Sequence, residues 1–281
     1  AALAGAQAEL GVIPQDAAKE IQKKAGVECL DLDFIREGYS RSGNSLIPLI
    51  NGLRKACDHG HGEFVHYGTT TQDVLDTAQT LEIKAVVDLL YRDLRALEDQ
   101  CLALARRHRE TPIIARTHGQ QALPTTFGLK AAVWSGEIRR HIERIKSISP
   151  RIIVGQLSGA VGTMAALGPQ APEIAKRTMD RLGLRHEVLP WHNSRDNIAE
   201  LASIFSLMTT TLAKIANEIF QLQKREIDEL REPAPVKASA SSTMPHKRNP
   251  VICQRIVALS KHVRYLSATV VESMAHEHER D

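Results

Sequence analysis

The segment 241–250, Ser-Ser-Thr-Met-Pro-His-Lys-Arg-Asn-Pro, combines two serines, three basic side chains and two prolines. Pro245 and Pro250 lack a backbone donor and disfavour helix in the residues before them, so the segment is predicted to be a loop. Asn249 suits an N-cap and Pro250 the first helical position, so the loop should lead into a helix. Free N–H groups, the helix dipole and Lys247 all favour negative charge there. The pattern therefore predicts an anion-binding loop, with a solvated basic loop as the alternative.

This serine loop, taken as residues 238–250, resembles the catalytic loop of the fumarase/aspartase superfamily, whose pattern is Gly-Ser-Ser-x-x-Pro-x-Lys-x-Asn. Every fixed position matches except the first, where Ala240 stands in place of glycine. Two further segments, 66–73 and 116–128, resemble the superfamily's other conserved regions and occur in the same order. The resemblance extends over most of the chain and implies an all-α fold, a long-helix bundle of the fumarase/aspartase type.

The resemblance also implies a reaction. Members of the superfamily remove a proton from the carbon next to a carboxylate and expel a group from the adjacent carbon. The intermediate is an aci-carboxylate, whose extra charge needs fixed donors and cations around it. By resemblance, Ser241 is the general base, and loop N–H groups with Lys247 stabilise its alkoxide. Ser242, Lys247 and Asn249 are assigned to the substrate carboxylate. The alternatives are a loop serine, a solvated lysine and a simple N-cap.

The segment 66–73, His-Tyr-Gly-Thr-Thr-Thr-Gln-Asp, supplies a second group of candidate site residues. Thr70 and Thr71 match the hydroxyl pair that binds a substrate carboxylate in the superfamily, and Asp73 is able to cap a helix. His66 matches a histidine that the adenylosuccinate lyase branch uses at the leaving-group side. A structural histidine before a turn is the alternative.

The segment 116–128 contains His118 within Arg-Thr-His-Gly, which matches the superfamily histidine that assists proton transfer. In relatives, a glutamate on the helix after the serine loop raises the basicity of this histidine, and Gln254 stands at the matching position here. A neutral partner fixes the imidazole tautomer but stabilises imidazolium less. Gln121, shortly after the histidine, is assigned to substrate binding.

Two later segments also resemble parts of the superfamily's site. Residues 155–163, Gly-Gln-Leu-Ser-Gly-Ala-Val-Gly-Thr, resemble a segment that lines the pocket. They lack the Rossmann spacing and a preceding strand, so a dinucleotide phosphate loop is not expected. Arg195, followed by Asp196, resembles a family Arg-Asp pair and is assigned to substrate binding. A capping aspartate beside a solvated arginine is the alternative.

Apolar residues at helical spacing predict the elements that position these groups. A first long helix is expected from about 73 to 109, roughly 50 Å long at 1.5 Å per residue. A second should begin at Pro124 and stop before Pro150, followed by a Gly-rich region and a short helix after Pro172. A further long helix carries an apolar series over 198–222, and another follows the serine loop. Few alternating runs suggest strands, so the architecture is predicted to be all-α.

Two domains are expected. Residues 1–72 hold short helical pieces broken by glycine and proline and should form a small, mostly helical N-terminal domain. Residues 73–281 should form the central long-helix bundle domain that carries the catalytic loop. The sequence begins inside a helical pattern and ends without a helix terminator, so a longer protein is expected. The resemblance implies a short preceding segment and a missing C-terminal helical domain.

The length of the first long helix bears on assembly. Thr70 precedes this helix and His118 follows its other end, so roughly 50 Å should separate them within one subunit. If both groups act on one substrate, opposite ends of helices from neighbouring subunits must meet. The resemblance implies this arrangement as a homotetramer whose active sites are shared between subunits.

Composition limits the classes of binding partner that are expected. Of the 281 residues, 43% are hydrophobic, which is enough for a sizeable core. The 36 basic and 33 acidic side chains nearly balance, so the charge does not indicate nucleic acid or membrane binding. No apolar run approaches the roughly 20 residues of a membrane span. The four cysteines have no scaffold spacing, so a cytoplasmic protein is expected. No metal is expected, because the histidines in 58–61 and 276–279 lack zinc-site spacing. No cofactor is expected either.

Two branches of the superfamily remain open for the substrate, which is expected to be a polycarboxylate. Gln120 to Pro124, Leu189 to His192 and the loss of glutamate at Gln254 resemble 3-carboxy-cis,cis-muconate cycloisomerase, the preferred interpretation. The segments around His66 and His118 resemble adenylosuccinate lyase, a C–N lyase that releases fumarate. A catalytically silent bundle of the crystallin kind is the non-enzymatic alternative.

Overall fold

The computed structural model describes residues 1–233, 244 and 247–280. The helices are α1 Ala2–Glu9, α2 Gln15–Lys24, α3 Leu32–Ser42, α4 Ile47–Ala56, α5 Thr71–Arg107, α6 Phe127–Ile152, α7 Ala171–Leu182, α8 Asp196–Leu222 and α9 Val251–Glu272. The strands are β1 Pro112–Thr117, β2 Gln120–Thr126, β3 Val154–Gly155 and β4 Arg185–His186. Short 3-10 turns occupy Val27–Cys29, His61–Phe64 and Ala165–Gln170. The predicted helical class is confirmed.

Several predicted helix ends were wrong. Helix α6 begins at Phe127 rather than Pro124, because Pro124 pairs with Ile114 in a β-hairpin. It continues through Pro150 to Ile152, although Pro150 has no N–H to donate to the carbonyl one turn earlier. The N-cap of α9 is Pro250 rather than Asn249, because Pro250 has φ −79° and ψ 67°, outside the helical region.

The β-hairpin formed by β1 and β2 was missed at the level of sequence. The strands pair antiparallel, with Thr117 opposite Gln120, so His118 and Gly119 are the two residues of the turn. Both have positive φ, 51° and 74°, as a type I′ turn requires. Gly119 adopts this conformation without strain, and His118 is thereby presented at the tip.

The chain divides into two compact units. Unit 1 comprises residues 1–86, 150–195 and 275–281, with the last residue outside the described part. One of its cores joins α1 to α7 and contains Ala6, Ile174 and Met179. A second core packs α1, α2 and the residues before α5, and includes Ile21. The short side chains of α1 allow this close helix packing.

Unit 2 comprises residues 87–149 and 196–274. Cys101, Phe127, Ala131 and Trp134 form a buried cluster between α5 and α6. The rings of Phe127 and Trp134 meet edge to face with centroids 6.0 Å apart. This division differs from the predicted domains 1–72 and 73–281, which stay a prediction.

By length and composition alone, helix α8 meets the criterion for a helix that crosses a membrane. Core helices of soluble proteins also meet this criterion, so one such helix is weak evidence. Helix α8 packs along α9 and buries Leu201, Ile204 and Met208.

Candidate active site

The predicted hydroxyl pair lies at the N-terminus of α5 in unit 1. Thr71 is the first residue of the helix and Thr70 precedes it, and both are half-buried. The backbone N–H of Thr70 donates to Asp73 Oδ2 at 3.0 Å. This is the reciprocal half of a capping box, in which an acid in the first turn binds the N–H before the helix. The two hydroxyls are thus fixed at the positive end of a helix dipole.

Asp73 does more than cap this helix, which sequence reasoning did not anticipate. Its carboxylate also accepts from the N–H groups of Ser158 and Gly159, at 2.9 and 3.0 Å. His192 Nε2 lies 2.9 Å from Oδ1 of the same carboxylate. Asp73 and His192 are 1% and 2% exposed, so this is a buried pair. One side chain therefore joins the start of α5, the 155–163 segment and the connector before α8.

The pKa of Asp73 follows from these contacts. Burial opposes ionisation of the carboxyl, but the hydrogen bonds from His192 and from the three backbone N–H groups outweigh it. The pKa of Asp73 consequently lies below its usual range. A carboxylate saturated by four donors is suited to holding structure in place, and it has no acceptor capacity to spare for proton transfer.

Arg195 lies near this network, but it is already engaged. Its guanidinium donates to Asp76 Oδ1 at 2.9 Å and lies over the ring of Trp191, 5.4 Å from the centroid. Asp76 Oδ1 also accepts from Gln72 Nε2 at 2.7 Å. The alternative in which Arg195 is a solvated side chain was therefore wrong. The assignment of Arg195 to substrate binding stays a prediction.

His66 lies just before α5 and adopts a left-handed conformation, with φ 66°. Its Nδ1 is 2.7 Å from Thr69 Oγ1, which fixes the ring within the turn. Burial, followed by the positive charge of Arg54, lowers the pKa of His66 below its ordinary value. Near neutral pH the imidazole is therefore neutral and able to accept a proton.

Arg280 is a cation at this site that sequence reasoning missed. It lies in the C-terminal part of unit 1, and its guanidinium donates to Thr70 Oγ1. A guanidinium beside a hydroxyl pair at a helix N-terminus is a combination that favours a carboxylate. Nothing in the local sequence pattern brings residues 210 positions apart together, so only the fold could show it.

His118 and Gln121 belong to the hairpin of unit 2, and both side chains are exposed. The hairpin is tied down by Arg116, which makes two hydrogen bonds to Glu229, at 3.0 and 2.7 Å. This two-pronged pair is about four-fifths buried. Glu229 lies between α8 and the serine loop, so the hairpin that carries His118 at its turn is fixed to the segment that leads towards that loop.

Of the four predicted loop residues, Lys247 and Asn249 lie in the described part of the chain, whereas Ser241 and Ser242 lie outside it. Lys247 and Asn249 are exposed and line a cavity of about 760 Å³ in unit 2, together with Gln223 and Glu232. The helix N-terminus that should bind an external anion is already capped by Glu232. Its carboxylate accepts from the N–H groups of Ile252 and Cys253, both at 2.9 Å.

The candidate residues therefore form two groups. His66, Thr70, Thr71 and Arg195 belong to unit 1, and His118, Gln121, Lys247 and Asn249 belong to unit 2. Asp73, His192 and Arg280 join the first group, and Glu232 joins the second. A capping-box pattern could have indicated Asp73, but no periodicity indicates the others.

The fold is that of a class, the helical lyases of the fumarate lyase superfamily. The solved 3-carboxy-cis,cis-muconate lactonizing enzyme of Pseudomonas putida has the same fold, with a TM-score of 0.92 and 36% identity, and the match covers 99% of this chain and 62% of that one. A family model described as "Lyase" matches residues 1–264. The chain belongs to this lyase family.

Curated lyases with two other names are also similar to this chain over its whole length. The N-acetyl-S-(2-succino)cysteine lyase of Dickeya dadantii is 43% identical over 280 residues, which is 100% of this chain and 62% of that protein. The adenylosuccinate lyase of Methanocaldococcus jannaschii is 40% identical over 283 residues, covering 100% of this chain and 61% of that protein. The chain thus spans about three-fifths of the length of these relatives.

Proposed function

We propose that the full-length protein is a lyase that cleaves a succinyl compound by β-elimination and releases fumarate. The observation that carries this proposal is the carboxylate-binding arrangement at the start of α5. Thr70 and Thr71 lie at the positive end of the helix, and the guanidinium of Arg280 binds the Thr70 hydroxyl. Together they supply the fixed donors and the cation that a dicarboxylate substrate and its aci-carboxylate intermediate need.

The remaining steps follow from the loop motif and the two histidines. Ser241, as general base, would take the proton from the carbon next to the carboxylate, and Lys247 would stabilise the alkoxide that does so. Ser242, Lys247 and Asn249 would hold the carboxylate that accepts the developing charge. The pair of electrons then expels the group on the adjacent carbon. His118, or His66 once it carries a proton, would donate the proton that the leaving group takes up as its bond to carbon breaks.

The substrate class rests on the relatives. Both N-acetyl-S-(2-succino)cysteine and adenylosuccinate contain a succinyl group, attached to sulfur in the first name and part of a purine compound in the second. Their lyases are 43% and 40% identical to this chain, against 38% for the 3-carboxy-cis,cis-muconate cycloisomerase of Pseudomonas aeruginosa. We therefore place a succinyl thioether or amine before a muconate, which reverses the preference drawn from sequence alone.

A muconate cycloisomerase is the second candidate. Gln254 is the feature that favours it, because the neutral side chain stands where other branches have glutamate. A cycloisomerase needs the same proton transfer beside a carboxylate and no separate leaving group. The two candidates therefore share the base and differ in the product.

Assembly and location are part of the proposal. Helix α9 exposes Leu259 and Leu266, at 65% and 64%, which lie seven residues apart and therefore share one face of the helix. This face supports a homotetramer with a shared helical core, in which subunits contribute the two groups of site residues to one another. We place the protein in the cytoplasm and assign it no metal or cofactor.

The test is a substrate panel with the full-length protein. N-acetyl-S-(2-succino)cysteine, adenylosuccinate and 3-carboxy-cis,cis-muconate are supplied in turn, and fumarate and lactone are measured separately. Fumarate from either succinyl compound supports the lyase, and lactone from the muconate supports the second candidate. If none of the three is consumed, the proposal is wrong.

A further inference from the structure

One side chain joins the segment before the serine loop to the last residues of the loop. Gln223 follows the last residue of α8, and its Nε2 donates to the carbonyl of Arg248 at 3.2 Å. Its Oε1 accepts from the N–H of Glu232 at 2.8 Å. Glu232 lies in the segment that leads towards the loop and Arg248 lies near the end of the loop, so a single carboxamide joins these two parts of the chain.

Glu232 extends this bridge to α9. Its carboxylate accepts from the N–H groups of Ile252 and Cys253, two of the donors that a helix leaves unpaired in its first turn. The charge is placed favourably at the positive end of the helix dipole. The segment that contains Glu232 is thereby fixed to α9, the helix that follows the loop.

The contacts also account for the ionisation of both acids. Burial opposes ionisation of Glu232, but the N–H groups of Cys253 and Ile252 outweigh it, so the pKa of the carboxyl lies below its ordinary value. Burial and the neighbouring carboxylate of Glu232 raise the pKa of the Cys253 thiol to about 11. At neutral pH the carboxylate is charged and the thiol is neutral, which is the state that the hydrogen bonds require.

We propose that Gln223 and Glu232 form a clamp that ties the segment before the serine loop to the last residues of the loop and so positions Lys247 and Asn249 for the reaction. The argument is geometric. Arg248 is held by its carbonyl and lies directly between Lys247 and Asn249, so its restraint fixes the backbone from which both side chains project. A carboxamide suits this role, because it offers a donor and an acceptor on adjacent atoms. Gln223 and Glu232 are positioning residues, and this role rests on the proposed function.

The test compares Gln223→Met with Gln221→Met in the full-length protein. Methionine keeps the length of glutamine but offers neither a strong donor nor a strong acceptor. Gln221 lies two residues earlier in α8, and its side chain bridges neither Glu232 nor Arg248. Hydrogen exchange of the Glu232 amide reports the clamp without any need for turnover, while kcat and KM report the positioning.

In Gln223→Met we expect the Glu232 amide to exchange about tenfold faster and kcat to fall about tenfold, with the thermal midpoint near that of the wild type. Gln221→Met should change neither. Unchanged exchange in Gln223→Met would overturn the clamp, and faster exchange with unchanged kcat and KM would overturn the positioning role. A wild-type protein that turns over none of the panel would refute the proposed function, whereas the exchange rates would still decide whether the clamp exists.

Glu232→Gln provides a second test of the clamp. It removes the charge at the start of α9 but keeps a carbonyl that accepts one of the two N–H bonds. We expect faster exchange of the Ile252 and Cys253 amides and an effect on kcat that is not additive with Gln223→Met, because both substitutions loosen the same contact. Additive effects on kcat would contradict a single clamp.

Discussion

The buried carboxylate of Asp73 should be among the most sensitive positions of unit 1. The substitution Asp73→Asn keeps the volume but replaces one acceptor oxygen with an NH2 group. Four donors point at this carboxylate, from Thr70, Ser158, Gly159 and His192. Each oxygen serves two of them, so the amide leaves two buried donors facing another donor.

The magnitude follows from those two unpaired donors. Each buried group left without a partner costs about 1–3 kcal/mol, so the free energy of unfolding should fall by about 2–6 kcal/mol. That is a large share of the about 5–15 kcal/mol that a folded domain usually has. Other acids at helix starts should behave differently. Asp16, 81% exposed and paired with Lys19, offers a control in Asp16→Asn, with an expected change of about 0.5 kcal/mol or less.

Urea-induced unfolding of full-length wild type, Asp73→Asn and Asp16→Asn at one protein concentration measures the difference. The effect should also depend on pH. A carboxyl whose folded pKa is lowered stabilises the fold above its unfolded pKa of about 3.9, and this contribution is lost as the pH falls through the folded pKa. The gap between wild type and Asp73→Asn should therefore shrink below about pH 4. If Asp73→Asn lowers the free energy of unfolding by less than about 1 kcal/mol at pH 7, the structural role assigned to the Asp73 carboxylate is refuted.

Two further predictions concern the histidines and the hairpin. Burial lowers the pKa of His66 and of His141 below the unfolded value of about 6.5, so the unfolded state binds more protons and stability should fall as the pH drops below about 7. Substituting asparagine for His66 should weaken this dependence, and an unchanged pH profile would show that His66 titrates normally. Arg116→Lys should lower the free energy of unfolding by about 1 kcal/mol, since lysine keeps the charge but loses the two-pronged bond to Glu229. The exposed Arg92→Lys is its control, and equal effects of the two would contradict the anchoring role.

Sequence patterns predicted the long helices well because apolar spacing determines which face of a helix is buried. The same patterns misplaced the start of α6, since Pro124 and the residues around it were assigned to a helix although they pair with β1. Hairpin pairing depends on a partner strand and on a His118-Gly119 turn with positive φ at both positions. The spacing of apolar residues reports neither of these two features.

The candidate site divides in the same way. Motif resemblance assigned Thr70, Thr71, His118 and Lys247 to the site, because their positions within the motifs can be read from the chain, and these assignments stay predictions. It could not identify the groups that reach these motifs across the fold. Arg280 meets Thr70 across 210 positions and His192 meets Asp73 across 119, and such contacts depend on tertiary packing alone.

We propose that this lyase-family chain carries an elimination site in which Ser241 is the general base. The most direct measurement is fumarate release from N-acetyl-S-(2-succino)cysteine by the full-length wild type and by Ser241→Ala, with Ser40→Ala on the surface of α3 as the control. A positioned general base contributes about 10²–10⁴-fold to the rate, so kcat of Ser241→Ala should fall by that factor while Ser40→Ala stays at the wild-type value. A Ser241→Ala protein that releases fumarate at the wild-type rate would contradict the role of Ser241 as the general base.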